Sequence, residues 1–307
     1  MRMRIAIMGP GAVGLLLAGY LSKTDASVTL VDQFPERAEL INREGVRWEG
    51  ADADFRYRVP VTVGLADPGN TDLVILCVKA YHTESASREL AAAGYRGTVL
   101  TLQNGAGNAE LIAANMPGSP VLAGVTSEGA NLAAQNHVRH AGRGNTSFGP
   151  MVAGSVPGKL LNDLAGLMRA AGMDAKLSDD PRLLVWSKVL INAGINPLTA
   201  ILGVRNGALL ENEAARGLMA GLVREGAPVI EKLGMTPAYG DPAARAEEVC
   251  RLTASNYSSM YMDIKNGQRT EIDFINGALA REGAAAGVPC HLNDAVTQIV
   301  HALESVR

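Results

Sequence analysis

The sequence predicts an α/β fold in which an N-terminal parallel-sheet domain, residues 1–179, precedes an all-α C-terminal domain, residues 180–307. Three observations carry this. Up to residue 177, short continuous apolar runs alternate with helical stretches, as buried parallel strands and their crossover helices do. From Pro181 onward the β signals stop, and long helical stretches follow, separated by Gly, Pro or polar breaks. Between the first apolar run and the first helix stands a glycine-rich turn, Gly9-Pro10-Gly11-Ala12-Val13-Gly14.

Composition narrows the function classes. The 307 residues give room for two domains with substantial cores, and 47% hydrophobic residues with few aromatics suit closely packed helices. A formal net charge of −3 leaves no basic excess for neutralising phosphates, so neither nucleic acid nor an anionic membrane is expected as a partner. Cys77, Cys250 and Cys290 lie far apart and show no CxxC or Cys/His spacing. No metal site is therefore expected, and reduced thiols in a cytoplasmic protein are the simplest account. Arg2 and Arg4 before an apolar run imitate a secretory leader, but Gly9, Pro10, Gly11 and Gly14 interrupt it and a second strand follows. A strand and a helix explain that run better.

Taken in order, residues 3–8 read as a buried strand and 15–21 as a helix, with G-x-G-x-x-G between them. The first glycine permits the tight turn, the second lets a pyrophosphate approach the backbone, and the third lets helix and strand pack closely. The helix N-terminus adds unpaired N–H groups and a partial positive charge. This motif in this context points to a Rossmann-type dinucleotide-binding domain. Residues 28–31 form a second strand ending in Asp32, placed to accept hydrogen bonds from adenosine ribose hydroxyls and to repel a 2′-phosphate. Asp32 could equally cap the helix beginning near Pro35, and Arg37 could turn back towards a 2′-phosphate.

Further strands are expected at 72–78, 98–102, 121–125 and 174–177, with helices at 83–92, 108–116 and 156–171. Ligands bind beyond the carboxyl ends of such strands, which makes Lys79, Asn104 and Thr126 pocket candidates as well as ordinary turn residues. Residues 46–63 alternate enough for a β-ribbon, and 137–148 suggest irregular strands around Gly142-Arg143-Gly144. His137 and His140 have no acidic partner at triad or metal spacing and read as surface histidines.

Helices are expected at 183–202, 209–233, 243–265, 271–286 and 293–305. The first is mostly apolar, yet Lys188, Asn192 and Asn196 interrupt it at i, i+4 and i+8, one polar stripe on a helix face. A helix at a solvated edge would show such a stripe. So would a helix flooring a polar ligand pocket, because buried amines and carboxamides need partners. Pro197 removes a hydrogen bond to the Ala193 carbonyl and disfavours helix at Asn196, so a kink or break is expected there. Asn206 can join Lys188 only if the chain folds back at Pro197, Gly203 or Gly207. Asn256, Ser258 and Ser259 add polar groups on the third of these helices. Thr270 and Asp273 resemble a capping box that would set Glu271 in a first helical turn.

Together these segments resemble the ketopantoate reductase (2-dehydropantoate 2-reductase) family. The motifs are GPGAVG, CVKAYHT, TLQNGAG, GVTSEGA, WSKVLINAGINPLTAILGVRNG and SSMYMDIKNGQRTEIDFINGAL, in order along the whole chain. The resemblance implies NAD(P)H-dependent reduction of the ketone of a 2-oxo acid. Carried over by motif position, Lys188 would be the general acid and would orient the substrate, with Glu271 touching substrate or cofactor and helping to hold Lys188. Asn192, Asn196, Asn206 and Ser259, with Asn256 and Ser258 beside them, would contact the substrate. Gly9 to Gly14, Asp32, Lys79, Asn104, Ala130 and Glu271 would line the cofactor.

Hydride attack builds negative charge on the ketone oxygen, so a donor able to release a proton lowers the barrier. Burial would bring a lysine towards the working range, although Glu271 would oppose that shift. The resemblance implies NADPH, for which many relatives carry a basic residue after the second strand; this chain has Asp32-Gln33, which suggests NADH, so both cofactors stay open. Ser127-Glu128 stands where relatives often have a histidine, so one wall of the site would differ. The alternatives are an NADH-linked reductase of another branched 2-oxo acid and a non-catalytic dinucleotide sensor on the same fold. A sensor has no need of the Lys188 set. The exposed surfaces of helical domains often support a homodimer.

Overall fold

A computed structural model describes residues 2–51, 53–237 and 239–306. The chain divides into two compact units. The first holds the chain up to Gln103 together with Asn108–Leu184; the second holds Asn104–Gly107 and everything from Val185 onward.

In the first unit the order is β1 (Arg4–Met8), α1 (Ala12–Leu21), β2 (Ser27–Asp32), α2 (Pro35–Glu44), β3 (Val46–Gly50), β4 (Asp54–Tyr57), β5 (Val61–Val63) and β6 (Leu73–Leu76). There follow α3 (Thr83–Ala92), β7 (Thr98–Thr101), α4 (Asn108–Asn115), β8 (Val121–Thr126), β9 (Gly129–Ala134), β10 (His137–Gly142), β11 (Asn145–Pro150), α5 (Gly158–Ala170) and β12 (Asp174–Leu177). The main sheet runs β12-β11-β8-β7-β6-β1-β2-β5 and is parallel except where β11 meets β8. β1 and β6 lie at its centre, buried on both faces, which is why they read as unbroken apolar runs.

A second, four-stranded sheet, β4-β3-β10-β9, covers the other side of α1. The expected ribbon at 46–63 is therefore two things. β3 and β4 form an antiparallel pair, while β5 joins β2 in the main sheet. Asp52, between β3 and β4, lies outside the described residues, as do the terminal residues 1 and 307. Layers on both sides explain why α1 is apolar almost all round. At Gly19 a Cβ would lie 2.4 Å from the Trp48 ring, so only glycine lets the indole seat there. His137 and His140 are not plain surface histidines. His140 Nε2 lies 2.6 Å from Glu128 Oε2 and packs on Tyr20 and Trp48, and His137 pairs with Glu49 at 2.9 Å.

The second unit is helical: α6 (Pro181–Leu202), which begins in the first unit, then α7 (Ala208–Glu211), α8 (Glu213–Lys232), α9 (Pro242–Leu252), α10 (Ser259–Lys265), α11 (Asn276–Ala286) and α12 (His291–Ser305). α6 is long and apolar enough to cross a membrane, but 67% of that stretch is buried inside the protein. Gly194 and Gly226 set how closely helices approach it. A Cβ at Gly194 would lie 2.6 Å from Val223, and one at Gly226 would lie 2.8 Å from Leu190. Two expected helices are each divided. Asn212 stops α7 and caps α8 by accepting from the Ala215 N–H (3.0 Å). Residues 253–258 leave the helix because Thr253, Ser255, Asn256 and Ser258 bond locally to backbone or to one another.

The break expected at Pro197 is absent: α6 is helical from Pro181 to Leu202. Asn276 explains this. Fully buried, it donates from Nδ2 to the Ala193 carbonyl (3.0 Å), the acceptor that Pro197 leaves without a main-chain donor. The same amide donates to Asn293 Oδ1 (3.0 Å), and Glu225 accepts from the Leu292 and Asn293 N–H groups at the start of α12 (both 2.9 Å). The capping box at Thr270 does not form either. The Thr270 hydroxyl accepts from Ile272 N (3.2 Å), Asp273 pairs with Arg269 and His301, and Glu271 precedes a single 3-10 turn, Ile272–Phe274. The three cysteines are free thiols, and burial pushes Cys77 up to about 12 and Cys250 and Cys290 up to about 11.

The Asn276 bond has a clean test. Asn276→Ala is expected to cost roughly 2 kcal/mol or more, since it leaves a buried acceptor unpaired. In a Pro197→Ala background a main-chain N–H returns, and the same substitution should cost at least about 1 kcal/mol less. Equal costs in the two backgrounds, measured by urea unfolding, would break the link.

Candidate active site

The first unit presents a cradle at the β1–α1 turn. Gly9 takes φ +95°, its N–H donates to Val31 O (3.0 Å), and Gly11 N donates to Gly9 O (2.8 Å). A Cβ at Gly14 would lie 2.2 Å from Gly9 O, and one at Gly9 would lie 2.7 Å from Val78. At Gly11 a Cβ would meet nothing within 4 Å. Two glycines thus satisfy the fold, and the third leaves open space. Ahead of α1 no side chain caps the helix, and no acidic residue stands in its first turn. The first N–H groups of such a helix have no intrahelical acceptor and suit a phosphate. Pro10, Ala12 and Val13 complete the turn. The residues present therefore fit a dinucleotide.

Asp32 ends β2 and is buried there. Its Oδ2 accepts from Arg37 Nε (2.5 Å), and its Oδ1 accepts from Arg37 Nη2 (2.6 Å) and from the Phe34 N–H (3.0 Å). Asp32 and Arg37, read separately from sequence, are thus a bidentate pair. Beyond the neighbouring strands, Gln103 ties two loops together, a role with no sequence motif. Its Nε2 donates to Val78 O and to Thr83 Oγ1 (both 2.8 Å), which fixes the turn carrying Lys79 against the end of β7. Thr126 Oγ1 lies 2.9 Å from Thr146 Oγ1, so this strand-end hydroxyl has a structural partner. Ala130 sits on β9 opposite His140, two residues beyond Glu128.

In the second unit Asn104 and Glu271 come together: Asn104 Nδ2 donates to Glu271 Oε2 at 3.4 Å, the long end of hydrogen bonding. The loop bearing Asn104 is pinned at Phe274, whose carbonyl accepts from Ala106 N (2.8 Å). Gly105, at φ +91°, lets the backbone press there, since a Cβ would lie 2.4 Å from Phe274 Cβ. Glu271 is buried and acts electrostatically on Lys188 of α6. Burial pushes the Lys188 amine down to about 8, and the Glu271 carboxylate opposes that shift. Asn192 and Asn196 follow on the same helical face at successive turns, each about 6 Å further along the axis.

Other expected site residues lie elsewhere on this unit. Ser258 is buried as the cap of α10, accepting from Tyr261 N (3.0 Å) and lying 2.7 Å from Thr199 Oγ1. Thr199, also 2.9 Å from the Asn196 carbonyl, was not expected at the site; its place one turn after Asn196 and two turns after Asn192 was the available signal. Ser259, next in sequence, is exposed. Asn206 turns away after Gly203 (φ +70°) and bonds to the α9–α10 link: its N–H donates to Asn256 O (3.0 Å) and its Nδ2 to Thr253 Oγ1 (2.9 Å). Its Oδ1 is buried with no hydrogen-bond partner among the described residues. Because α6 is unbroken, its end lies about 21 Å along the axis from Lys188.

A turn shaped for a pyrophosphate, on a sheet and in a chain that also lowers a lysine towards neutrality, defines the class of dinucleotide-dependent oxidoreductases. The chain belongs to the ketopantoate reductase family: residues 5–153 match the family model described as Ketopantoate reductase PanE/ApbA, and residues 180–304 match its C-terminal model. It is an NAD(P)-dependent oxidoreductase. A 2-dehydropantoate 2-reductase of Halobacterium salinarum is 37% identical over 90% of this chain and 91% of its own length. The crystal structure of a PanE/ApbA family ketopantoate reductase from Ralstonia eutropha JMP134 is 30% identical, covers 99% of each chain and superposes with a TM-score of 0.89. A ternary structure of D-mandelate dehydrogenase with NADH and anilino(oxo)acetate is 28% identical, covers 99% of each chain and reaches 0.92.

Two measurements check the geometry. Gly14→Ala should abolish dinucleotide binding, because its Cβ would collide with the Gly9 carbonyl. For Lys188, whose amine sits below its unfolded value, the unfolded chain binds more protons between about pH 8 and 10.5. Stability relative to Lys188→Met should therefore rise as pH climbs through that window. A flat difference would contradict a lowered amine.

Proposed function

We propose that the chain reduces the ketone of a small 2-oxo acid to the 2-hydroxy acid, with 2-dehydropantoate as the first candidate, a step of pantothenate biosynthesis. The observation that carries this reading is Lys188, brought down to about 8 on the same helical face as Asn192 and Asn196 and under the influence of buried Glu271. Family membership and the relatives named for that reaction support it.

The nicotinamide supplies the hydride when bound. Everything else falls to the chain's own groups. Lys188 is the general acid. With its amine near 8 it is mostly protonated at neutral pH, yet it releases the proton more readily than an ordinary lysine. Glu271 stops burial from discharging the amine altogether. Asn192 and Asn196 supply directed donors for the substrate's oxygens without adding a second net charge. Ser259 is the exposed hydroxyl available to the substrate, Ser258 being occupied as a cap. Asn206 and Asn256, together at the α9–α10 link, complete the polar set on this unit. Gly9 to Gly14 cradle the pyrophosphate, and Lys79, Asn104 and Ala130 line the dinucleotide.

The similarity to D-mandelate dehydrogenase favours one second reading, an NADH-linked reductase of a bulkier 2-oxo acid. A panel of 2-oxo acids containing 2-dehydropantoate and phenylglyoxylate, each assayed with NADH and NADPH, separates the two by kcat/KM. Lys188→Ala should fold and bind dinucleotide but lose most turnover, by about 10²-fold or more. Near-wild-type turnover in that variant would end the role given to Lys188. In the wild type, kcat for reduction should fall as pH rises past about 8, where the acid loses its proton.

A further inference from the structure

Glu271 sits in a stretch with little regular structure of its own, just ahead of the single 3-10 turn Ile272–Phe274. On both sides that stretch is tied to one turn near the end of α12. Before Glu271, the N–H of Thr270, a residue 1% exposed, donates to Glu304 Oε1 (2.6 Å). After it, Asp273 Oδ1 lies 2.9 Å from His301 Nε2. His301 Nδ1 lies 3.2 Å from Glu304 Oε2, so the ring bridges the two anchors. An ionised carboxylate only accepts, and only the charged imidazole carries an N–H on both nitrogens. Donating to both neighbours therefore calls for a protonated ring. Burial opposes that charge, but the bonds to Glu304 and Asp273 outweigh it and hold His301 above its ordinary 6.5. Further charged groups flank the bridge. Arg269 donates to Asp273 Oδ2 (3.0 Å), and Arg281 of α11 donates to the Asp273 carbonyl (2.9 Å). Glu225 of α8 bonds at the opposite end of α12, to Leu292 and Asn293.

We propose that His301 and Glu304 are positioning residues for Glu271, fixing its carboxylate relative to the Lys188 amine and so setting the pH at which that amine gives up its proton. The clamp is complete while the His301 ring is charged, and it loosens as rising pH removes that proton. This rests on the reading of Lys188 as the general acid. His301 is 42% exposed, and an exposed ion pair contributes little to stability. Its mark belongs on the titration of Lys188 rather than on folding.

Two readouts follow the amine: the basic limb of kcat against pH, and the pH at which stability relative to a matched Lys188→Met variant begins to rise. The second needs no turnover. Removing the His301 charge alone would raise the amine's value, because one cation disfavours another. Loosening Glu271 lowers it, because their attraction falls with distance. The two effects have opposite signs. His301→Ala should therefore move both readouts towards lower pH, by about half a pH unit or more. Glu304→Ala should do the same. Glu304→Gln keeps an acceptor for Thr270 and offers the ring a donor, so it should retain the wild-type limb. Readouts that stay in place or move to higher pH in His301→Ala overturn the proposal. So does a limb shifted as far in Glu304→Gln as in Glu304→Ala. A shift in the stability readout without one in kcat leaves the clamp standing and overturns Lys188 as the acid.

Discussion

The constraint on which the candidate site depends is the placing of the Lys188 amine on an apolar helix under the influence of Glu271. Burying an amine on an apolar helix is unfavourable, and Glu271 offsets part of that cost without cancelling it, so the amine settles near 8. The neighbouring structure fixes both groups. Glu271 has to be buried and fixed, and the 3-10 turn after it, with the Asn104–Gly107 loop bonded at Phe274, holds it in place. The helix carrying Lys188 has to stay straight so that Asn192 and Asn196 share its face, and Asn276 secures that.

The first unit shows a different kind of constraint, one of space. Gly9 and Gly14 are required by the turn itself, whereas Gly11 opens onto empty volume, so a single motif combines a folding need with a binding one. At the far end of β2 the constraint is charge. Asp32 and Arg37 neutralise one another, and the outer surface of the pair differs in sign from that of the aspartate alone.

Legibility in the sequence followed the range of the contacts. The β1–α1 turn, the alternation of strands and helices and the Lys188 stripe are local, so periodicity and glycine spacing expose them. The small sheet is not: alternation exposes strands within 46–63 and 137–148, but not that β3 pairs with β10 some 90 residues away. Pro197 misleads for the same reason. Local rules break the helix there, and the donor that preserves it comes from 83 residues beyond the Ala193 carbonyl that it satisfies. The gap between α9 and α10 hid under helical periodicity, yet Thr253, Ser255, Asn256 and Ser258 mark it once their capping tendency is weighed. His140 looked exposed because Glu128 lies across a strand turn rather than at helical spacing.

The side-chain amide standing in for a main-chain donor at Ala193 also bears on how this sequence can drift. A proline at 197 costs least while an amide occupies 276, but the amide imposes no proline in return. The coupling is therefore asymmetric: losing the amide strands the Ala193 carbonyl, whereas losing the proline returns its main-chain donor.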